Sequence, residues 1–333
     1  MYNYSKSFLD KVATETGFIR DNLEKVFRLC EILQYLNENR LFTEHLVLKG
    51  GTALNLTVFD MPRMSVDIDL DFAKACNREE MLEIRTNINE SLLNFMYAQS
   101  YALSPNTKNP HSLDSWVFYF QNAVGNRDCI RIEINYSLRN HIFPVEKRKI
   151  NVKFLNIEHG VSVLSTLELF GSKIKALIER TAARDLYDVQ NMLKYNIIPA
   201  GKQDLLRKIV VFYLVIGTKQ KIVLPLNFEN INGLNYAQIR ATLIPVLRKS
   251  EHFDLEAAKT TVKNYLSKLM ILTNKEKQFV ESFNQGIYQP NLLFEDKKMI
   301  ERIKDHPMAV WKTQSLFFHN LANNKTIIGM NSK

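Results

Sequence analysis

Lys49-Gly50-Gly51-Thr52-Ala53-Leu54, followed by Arg63-Met64-Ser65-Val66-Asp67-Ile68-Asp69-Leu70-Asp71, is the stretch on which the reading of this chain turns. The short apolar run His45-Leu46-Val47-Leu48 predicts a buried strand that breaks into a turn at the two glycines, with a short helix over Ala53 to Val58. Ser65 to Phe72 alternates, with Asp67, Asp69 and Asp71 on one side and Val66, Ile68, Leu70 and Phe72 on the other, which predicts a second strand. Glycines let a backbone approach a bulky anion, and the amide groups of a helix N-terminus attract phosphate. Thr52 adds a hydroxyl donor. Asp67 and Asp69 leave their strand on one face about 7 Å apart, a spacing at which two carboxylates share divalent cations. Magnesium favours a few carboxylates completed by substrate phosphates, and two such ions clamp the attacking and leaving oxygens of a phosphoryl transfer. A lone Gly-Gly is an ordinary turn and a lone Asp-x-Asp an ordinary strand face. Their conjunction across strand, helix and strand is far more specific. Three aspartates on one face repel each other, and a metal relieves that repulsion. A third ligand is expected from Glu133, flanked by isoleucines in Ile130-Arg131-Ile132-Glu133-Ile134, if that strand lies beside the aspartates; a cross-strand ion-pair role for Glu133 is the alternative, and Asp71 is its rival as ligand.

Outward from this segment, Leu23, Val26, Phe27, Cys30, Leu33 and Leu36 recur at helical spacing within Ile19 to Leu36, and Arg78 to Tyr97 reads as another helix. Trp116 to Phe120 and Cys129 to Tyr136 are aromatic and β-branched and read as strands, with a weaker candidate at Ile150 to Ile157. From Ser165 onward helices dominate. The order is N-terminal helices, a mixed block with four or five strands, then an all-helical tail, an α+β chain. The break at Pro199-Ala200-Gly201 marks the expected boundary between domains 1–199 and 200–333.

The length, 333 residues, fits two domains, and the 46% apolar and 24% charged composition excludes wholesale disorder. The net charge of +9 is unevenly held: residues 1–199 carry 24 basic and 24 acidic side chains, residues 200–333 carry 20 and 11. Such asymmetry points to a polyanion near the C-terminal half, although lysines on solvated helix faces give the same sum. Cys30, Cys76 and Cys129 form no paired motif and support neither a disulfide framework nor a zinc ribbon. The first residues hold no apolar signal core, and the longest apolar run, Ile209 to Ile216, falls well short of the roughly 18 residues that span a bilayer. The expectation is a cytoplasmic protein without a membrane partner.

The second informative segment is Glu168-Leu169-Phe170-Gly171-Ser172-Lys173-Ile174-Lys175-Ala176-Leu177-Ile178-Glu179-Arg180, followed by Arg184-Asp185-Leu186-Tyr187-Asp188. Lys173, Leu177, Arg180 and Arg184 share a face if one helix runs through them. A line of cations there suits triphosphate oxygens, but the spacing alone fits surface ion pairs better.

Together the two segments resemble the AbiEii/AbiGii family of nucleotidyltransferase toxins, which includes the MenT toxins, within the DNA polymerase β-like nucleotidyltransferase superfamily. The first family motif stands here as Lys49 to Leu54 with Arg63-x-Ser65-x-Asp67-x-Asp69. The second stands as Lys173-x-x-Ala176-Leu177-x-x-Arg180 with Arg184-Asp185-x-x-Asp188. The similarity covers roughly residues 40–195, and the helices from residue 200 match no named motif. The resemblance implies a polymerase β-like mixed-sheet core. It implies that Gly50, Gly51 and Thr52 hold nucleotide phosphates, that Asp67 and Asp69 bind Mg2+ (or Mn2+), and that Lys173 contacts the triphosphate of an NTP. Asp188 would be a catalytic acid or organiser, with Arg180 on the nucleotide and Lys49, Arg63, Ser65, Arg184 and Asp185 in support. Lys175 ranks behind Lys173 because Ala176-Leu177 fixes the alignment.

The implied activity is transfer of a nucleoside monophosphate to a hydroxyl, with the tRNA 3′ end as acceptor, growth arrest or phage defence as effect, and a cognate antitoxin encoded separately. The basic 200–333 region would then grip the acceptor backbone, with Lys259, Lys263, Lys268, Lys275 and Lys277 as candidate contacts. Two alternatives stand beside this: a small-molecule nucleotidyltransferase, and an inactive nucleotide- or RNA-binding protein. The positive charge of the tail disfavours cationic drugs as acceptors, and the intact Gly-Gly-Thr, Asp-x-Asp and Lys/Asp sets disfavour decay.

Overall fold

The computed structural model describes residues 4–155, 157–218 and 220–315. In chain order the elements are α1 (Lys6–Thr16), α2 (Arg20–Glu38), α3 (Arg40–Thr43), β1 (Leu46–Lys49), α4 (Gly50–Thr57), β2 (Asp67–Phe72), α5 (Arg78–Ala98), β3 (Ala102–Leu103), β4 (Leu113–Gln121), β5 (Arg127–Asn135), β6 (Glu146–Lys149) and β7 (Gly160–Val163). There follow α6 (Thr166–Arg180), α7 (Ala183–Lys194), α8 (Gln203–Gly217), α9 (Tyr236–Thr242), α10 (Leu255–Leu269), α11 (Asn274–Asn284) and α12 (Lys297–Ile303).

The chain divides into two compact units. The first comprises residues 1–139, 144–169 and 236–253, and the second residues 140–143, 170–235 and 254–333. The division does not follow the Pro199 break: it falls within α6, and a segment from beyond residue 200 returns to the first unit. That segment is hydrogen-bonded in, since Arg63 and Leu247 form a β-bridge and the Met64 amide donates to the Val246 carbonyl at 2.8 Å. The charge asymmetry survives the new boundaries. The second unit holds 22 of the 44 basic residues but only 13 of the 35 acidic ones, so the whole excess stays with it.

The first unit is built on a seven-stranded mixed sheet in the order β3-β4-β5-β2-β1-β7-β6. The apolar faces of the strands explain the order. Ile68, Leu70 and Phe72 of β2, Ile130, Ile132 and Ile134 of β5, and Val47 and Leu48 of β1 are all buried, which puts these strands at the centre of the sheet. β2 runs parallel to β5 and antiparallel to β1, with Asp69 opposite both Glu133 and Lys49. Helix α2 buries Leu23, Val26, Phe27, Cys30, Leu33 and Leu36, the stripe that the sequence predicts. α5 starts where the Asn77 side chain accepts the Glu80 amide, with Glu79 and Glu80 in the favourable first turn.

Two local expectations are corrected. Ile150 to Ile157 is not a strand: Lys153–Leu155 form a 3₁₀ turn, and the strands here are the flanking β6 and β7; Asn156 lies outside the described residues. β6 reads Glu-Lys-Arg-Lys, an edge strand with no apolar face, so no hydrophobic signal announced it. Nor does one helix run from Lys173 to Arg184. α6 stops at Arg180, Thr181 takes a positive φ of 50°, and Arg184 belongs to α7.

The second unit is helical. α8 is buried along most of its length, from Leu206 through Ile216, as the core against which its neighbours lie. α10 is capped by Asp254, and α11 by a reciprocal Thr273–Glu276 capping box. No described helix is long and apolar enough to cross a membrane.

Candidate active site

In the first unit the glycines do not form a turn before a helix; they are its first two residues. Lys49, in extended conformation, supplies no side-chain cap to α4, as is also the case at α2, α7 and α8, whereas α1, α5, α10 and α11 have one. No capping side-chain oxygen competes for the opening amides of α4, and two glycines give an anion close approach to them.

Both glycines lie close against the second half of the motif. Gly50 has φ +72°, and a methyl group there would stand 2.3 Å from an Asp69 carboxylate oxygen. A methyl on Gly51 would stand 2.7 Å from the Arg63 guanidinium and 3.0 Å from Ser65 Oγ. The two halves of the first motif are thus pressed against each other: Gly50 on Asp69, Gly51 on Arg63 and Ser65. Arg63 is buried and donates to the Met64 carbonyl at 3.0 Å. Asn55 Nδ2 holds the Gly51 carbonyl at 2.8 Å.

Thr52 has its hydroxyl engaged with backbone. It is fully buried, and its hydroxyl donates to the Asp67 carbonyl, so its one proton is not available to a phosphate. It ties α4 to the start of β2 instead. Asp71 also has a partner, an ion pair with Lys49. Burial pushes its pKa up to about 6 against the pull of Lys49, and the Asp69 charge adds to the rise. Asp67 and Asp69 are half-buried on the same face of β2. Glu133 is the strand neighbour of Asp69, accepts from Ser115 Oγ at 3.0 Å and lies 3.6 Å from Arg131. Among the described residues no three His, Cys, Asp or Glu side chains group as a metal cage. The donor set is the half-buried Asp67–Asp69 pair, which fits Mg2+, an ion held by one or two carboxylates plus substrate phosphates.

In the second unit Lys173 Nζ sits 2.9 Å from Asp185 Oδ1 and 3.0 Å from Asp188 Oδ2. Arg180 adds a two-pronged contact, Nε to Asp185 Oδ2 at 2.7 Å and a terminal nitrogen to Oδ1 at 3.1 Å. Both aspartates are buried, three residues apart on one face of α7. Burial alone would raise the Asp185 pKa; Lys173 and Arg180 outweigh it and hold the carboxyl below its ordinary value. Lys175 points elsewhere, to Glu179 at 2.5 Å.

The five lysines of the C-terminal region differ among themselves. Lys259 is nearly buried and paired with Glu256, and Lys263 contacts Glu229 and Asn232, each at 3.0 Å. Lys275 lies 3.8 Å from Glu295; it, Lys268 and Lys277 are exposed. Lys263 and Lys277 line a cavity of about 760 Å³ in the second unit, with Leu226, Phe228, Met270 and Leu272 among its apolar walls.

A mixed sheet whose central strand sets paired aspartates beside a helix opened by Gly-Gly is here the frame of a nucleotidyltransferase. Residues 31–284 match the family described as "Nucleotidyl transferase AbiEii toxin, Type IV TA system", and the chain belongs to that family. The match takes in most of the helices that carried no recognisable motif. The chain is also similar in fold to the MenT4 nucleotidyltransferase toxin from Mycobacterium tuberculosis H37Rv, with a TM-score of 0.62 at 15% identity over 92% of this chain and 99% of that one. No curated protein matches it.

Proposed function

We propose that the protein transfers a nucleoside monophosphate from an NTP to the 3′-terminal hydroxyl of tRNA, with pyrophosphate leaving, and that this arrests growth unless a separately encoded antitoxin opposes it. The observation that carries the reading is the contact of Gly50 with Asp69, which sets the N-terminus of α4 beside the Asp67–Asp69 carboxylates. Asp67 and Asp69 would hold Mg2+ or Mn2+, which when bound stabilises charge on the reacting oxygens. The amides of Gly50 and Gly51 bind phosphate oxygens, and Gly51, pressed on Arg63 and Ser65, keeps them in place. Lys173 is the cation for the triphosphate, and Asp185 and Asp188 fix the position of its ammonium. Asp188 acts as an organiser of Lys173 rather than as an acid. Arg180, well exposed beyond its Asp185 contact, offers a second cation to the nucleotide. Charge on the transferring group is met by positioned donors and cations, the main source of catalysis in such transfers. The exposed lysines of the second unit attract the acceptor backbone.

The test is incubation of purified protein with magnesium, each labelled NTP in turn and total tRNA, beside an Asp69→Ala control. Label on tRNA with the intact protein alone is the expected result. Label on a small acceptor instead would replace tRNA by a small-molecule substrate, and nucleotide binding without transfer would overturn the enzymatic reading.

A further inference from the structure

Gly171 lies in the interior of α6, where glycine is the poorest helix former other than proline. A methyl group on it would stand 2.4 Å from Ile209 Cγ2 and 3.3 Å from Ile209 Cβ, on α8. Ile209 is fully buried, and the close atoms are its β-branch rather than the end of a long flexible side chain. Lys175, four residues further and on the same face of α6, crosses Gly217 at the other end of α8, where a methyl would meet its Cε at 2.7 Å. α8 therefore backs α6 at two points along one face. Lys173, two residues from Gly171, points nearly the opposite way, because successive helical residues turn by about 100°. On that side its Nζ meets Asp185 and Asp188 of α7 at 2.9 and 3.0 Å. α6 is held between Ile209 of α8 on one side and the carboxylates of Asp185 and Asp188 on the other.

We infer that Gly171 is a positioning residue for Lys173: the bare backbone at Gly171, seated on Ile209, sets the distance at which Lys173 meets Asp185 and Asp188. An alanine there needs roughly 1 Å more room to reach an ordinary contact. The shift drives α6 toward α7, where the ammonium is already at hydrogen-bond distance, so Lys173 must buckle away from its place. A displacement of about 1 Å in a positioned catalytic group costs up to ~10²-fold in rate. The inference rests on the proposed role of Lys173 as the triphosphate cation.

The experiment compares intact protein with Gly171→Ala, Ile209→Ala, the double variant and Lys173→Ala, measuring kcat, KM for the NTP and thermal unfolding. Gly171→Ala is expected to lower kcat/KM for the NTP by ~10–10²-fold. Ile209→Ala, which removes Cγ2, is expected to restore most of that loss in the double variant, although it removes buried volume and lowers the unfolding temperature on its own. Rescue of activity without rescue of stability is a result that a merely structural glycine would not give. An active Gly171→Ala beside an inactive Lys173→Ala would overturn the positioning role while leaving that of Lys173 intact. So would a double variant no better than Gly171→Ala. A fully active Lys173→Ala would instead overturn the underlying reading of Lys173.

Discussion

Gly50 shows how much a single position can be asked to do. Its left-handed backbone and its contact with Asp69 each exclude a side chain. Gly50→Ala should cost about 1–3 kcal/mol of stability through backbone strain alone. Its effect on transfer should be larger than that loss implies, because the methyl group displaces the Asp69 carboxylate. Urea unfolding and NTP turnover, measured on the same preparation, separate the two, with Asp69→Asn as a variant expected to be inactive yet folded. If Gly50→Ala keeps full turnover, the contact with Asp69 has no catalytic meaning. Asp185 makes a second prediction at this scale. Its folded pKa lies below the ordinary carboxylate value, so its ion pairs contribute stability that is complete above that value and is lost as pH falls through the lower folded one. The stability gap between the intact protein and Asp185→Asn should therefore hold from pH 7 down to the ordinary carboxylate range and close only below it. A gap that closes near neutrality would contradict the assignment. Both residues were legible in the sequence as motif members. What was not legible is Thr52, whose hydroxyl binds backbone: a motif names a residue type, but only packing decides which partner its proton meets.

Elements were legible where burial is one-sided. The stripe of α2 and the alternation of β2 follow from a single buried face, and periodicity reports it directly. β6 and the break after Arg180 have no such signal, since a charged edge strand and a positive φ at Thr181 are imposed by their surroundings. The end of α8 is a further instance. Lys312 donates to the Thr218 carbonyl at 2.6 Å and also to the Val215 carbonyl and Thr218 Oγ1, supplying donors to carbonyls that a helix leaves without partners at its C-terminus. Burial holds its pKa down to about 8 although Glu179 pulls the other way. Below pH 8 the buried charge is a standing cost; between there and the ordinary lysine value the unfolded chain binds the extra proton, so folding is favoured as pH rises. The intact protein should gain stability relative to Lys312→Met between pH 8 and 10, and chemical denaturation at several pH values measures it. A constant difference would mean that Lys312 titrates as an ordinary surface lysine.

At the scale of the molecule the sequence located the charge excess and the two motifs, but not the division between units. Nothing in Tyr236 to Phe253 marks it as part of the sheet-bearing unit, because much of its attachment is to backbone: Arg63 bridges Leu247, the Met64 amide meets the Val246 carbonyl, Asn22 donates to the Pro245 carbonyl, and a distinctive side chain, Arg248 over the Phe18 ring, belongs to no recognisable pattern. The consequence for the acceptor is specific. The +9 excess belongs to the second unit, yet among the five lysines singled out there, Lys259 and Lys263 have close acidic neighbours. Reversing them would break ion pairs and confuse folding with binding. Lys268 and Lys277, exposed on α10 and α11, are the sites to reverse. Each phosphate contact removed from single-stranded RNA lowers the salt slope of log K by about 0.7. Lys268→Glu combined with Lys277→Glu should therefore weaken tRNA binding most at low salt and flatten its salt dependence by about 1–1.5 units, while affinity for the NTP stays unchanged. Filter binding of tRNA from 50 to 200 mM salt reads the slope, and a slope equal to that of the intact protein would move the acceptor contact off this surface.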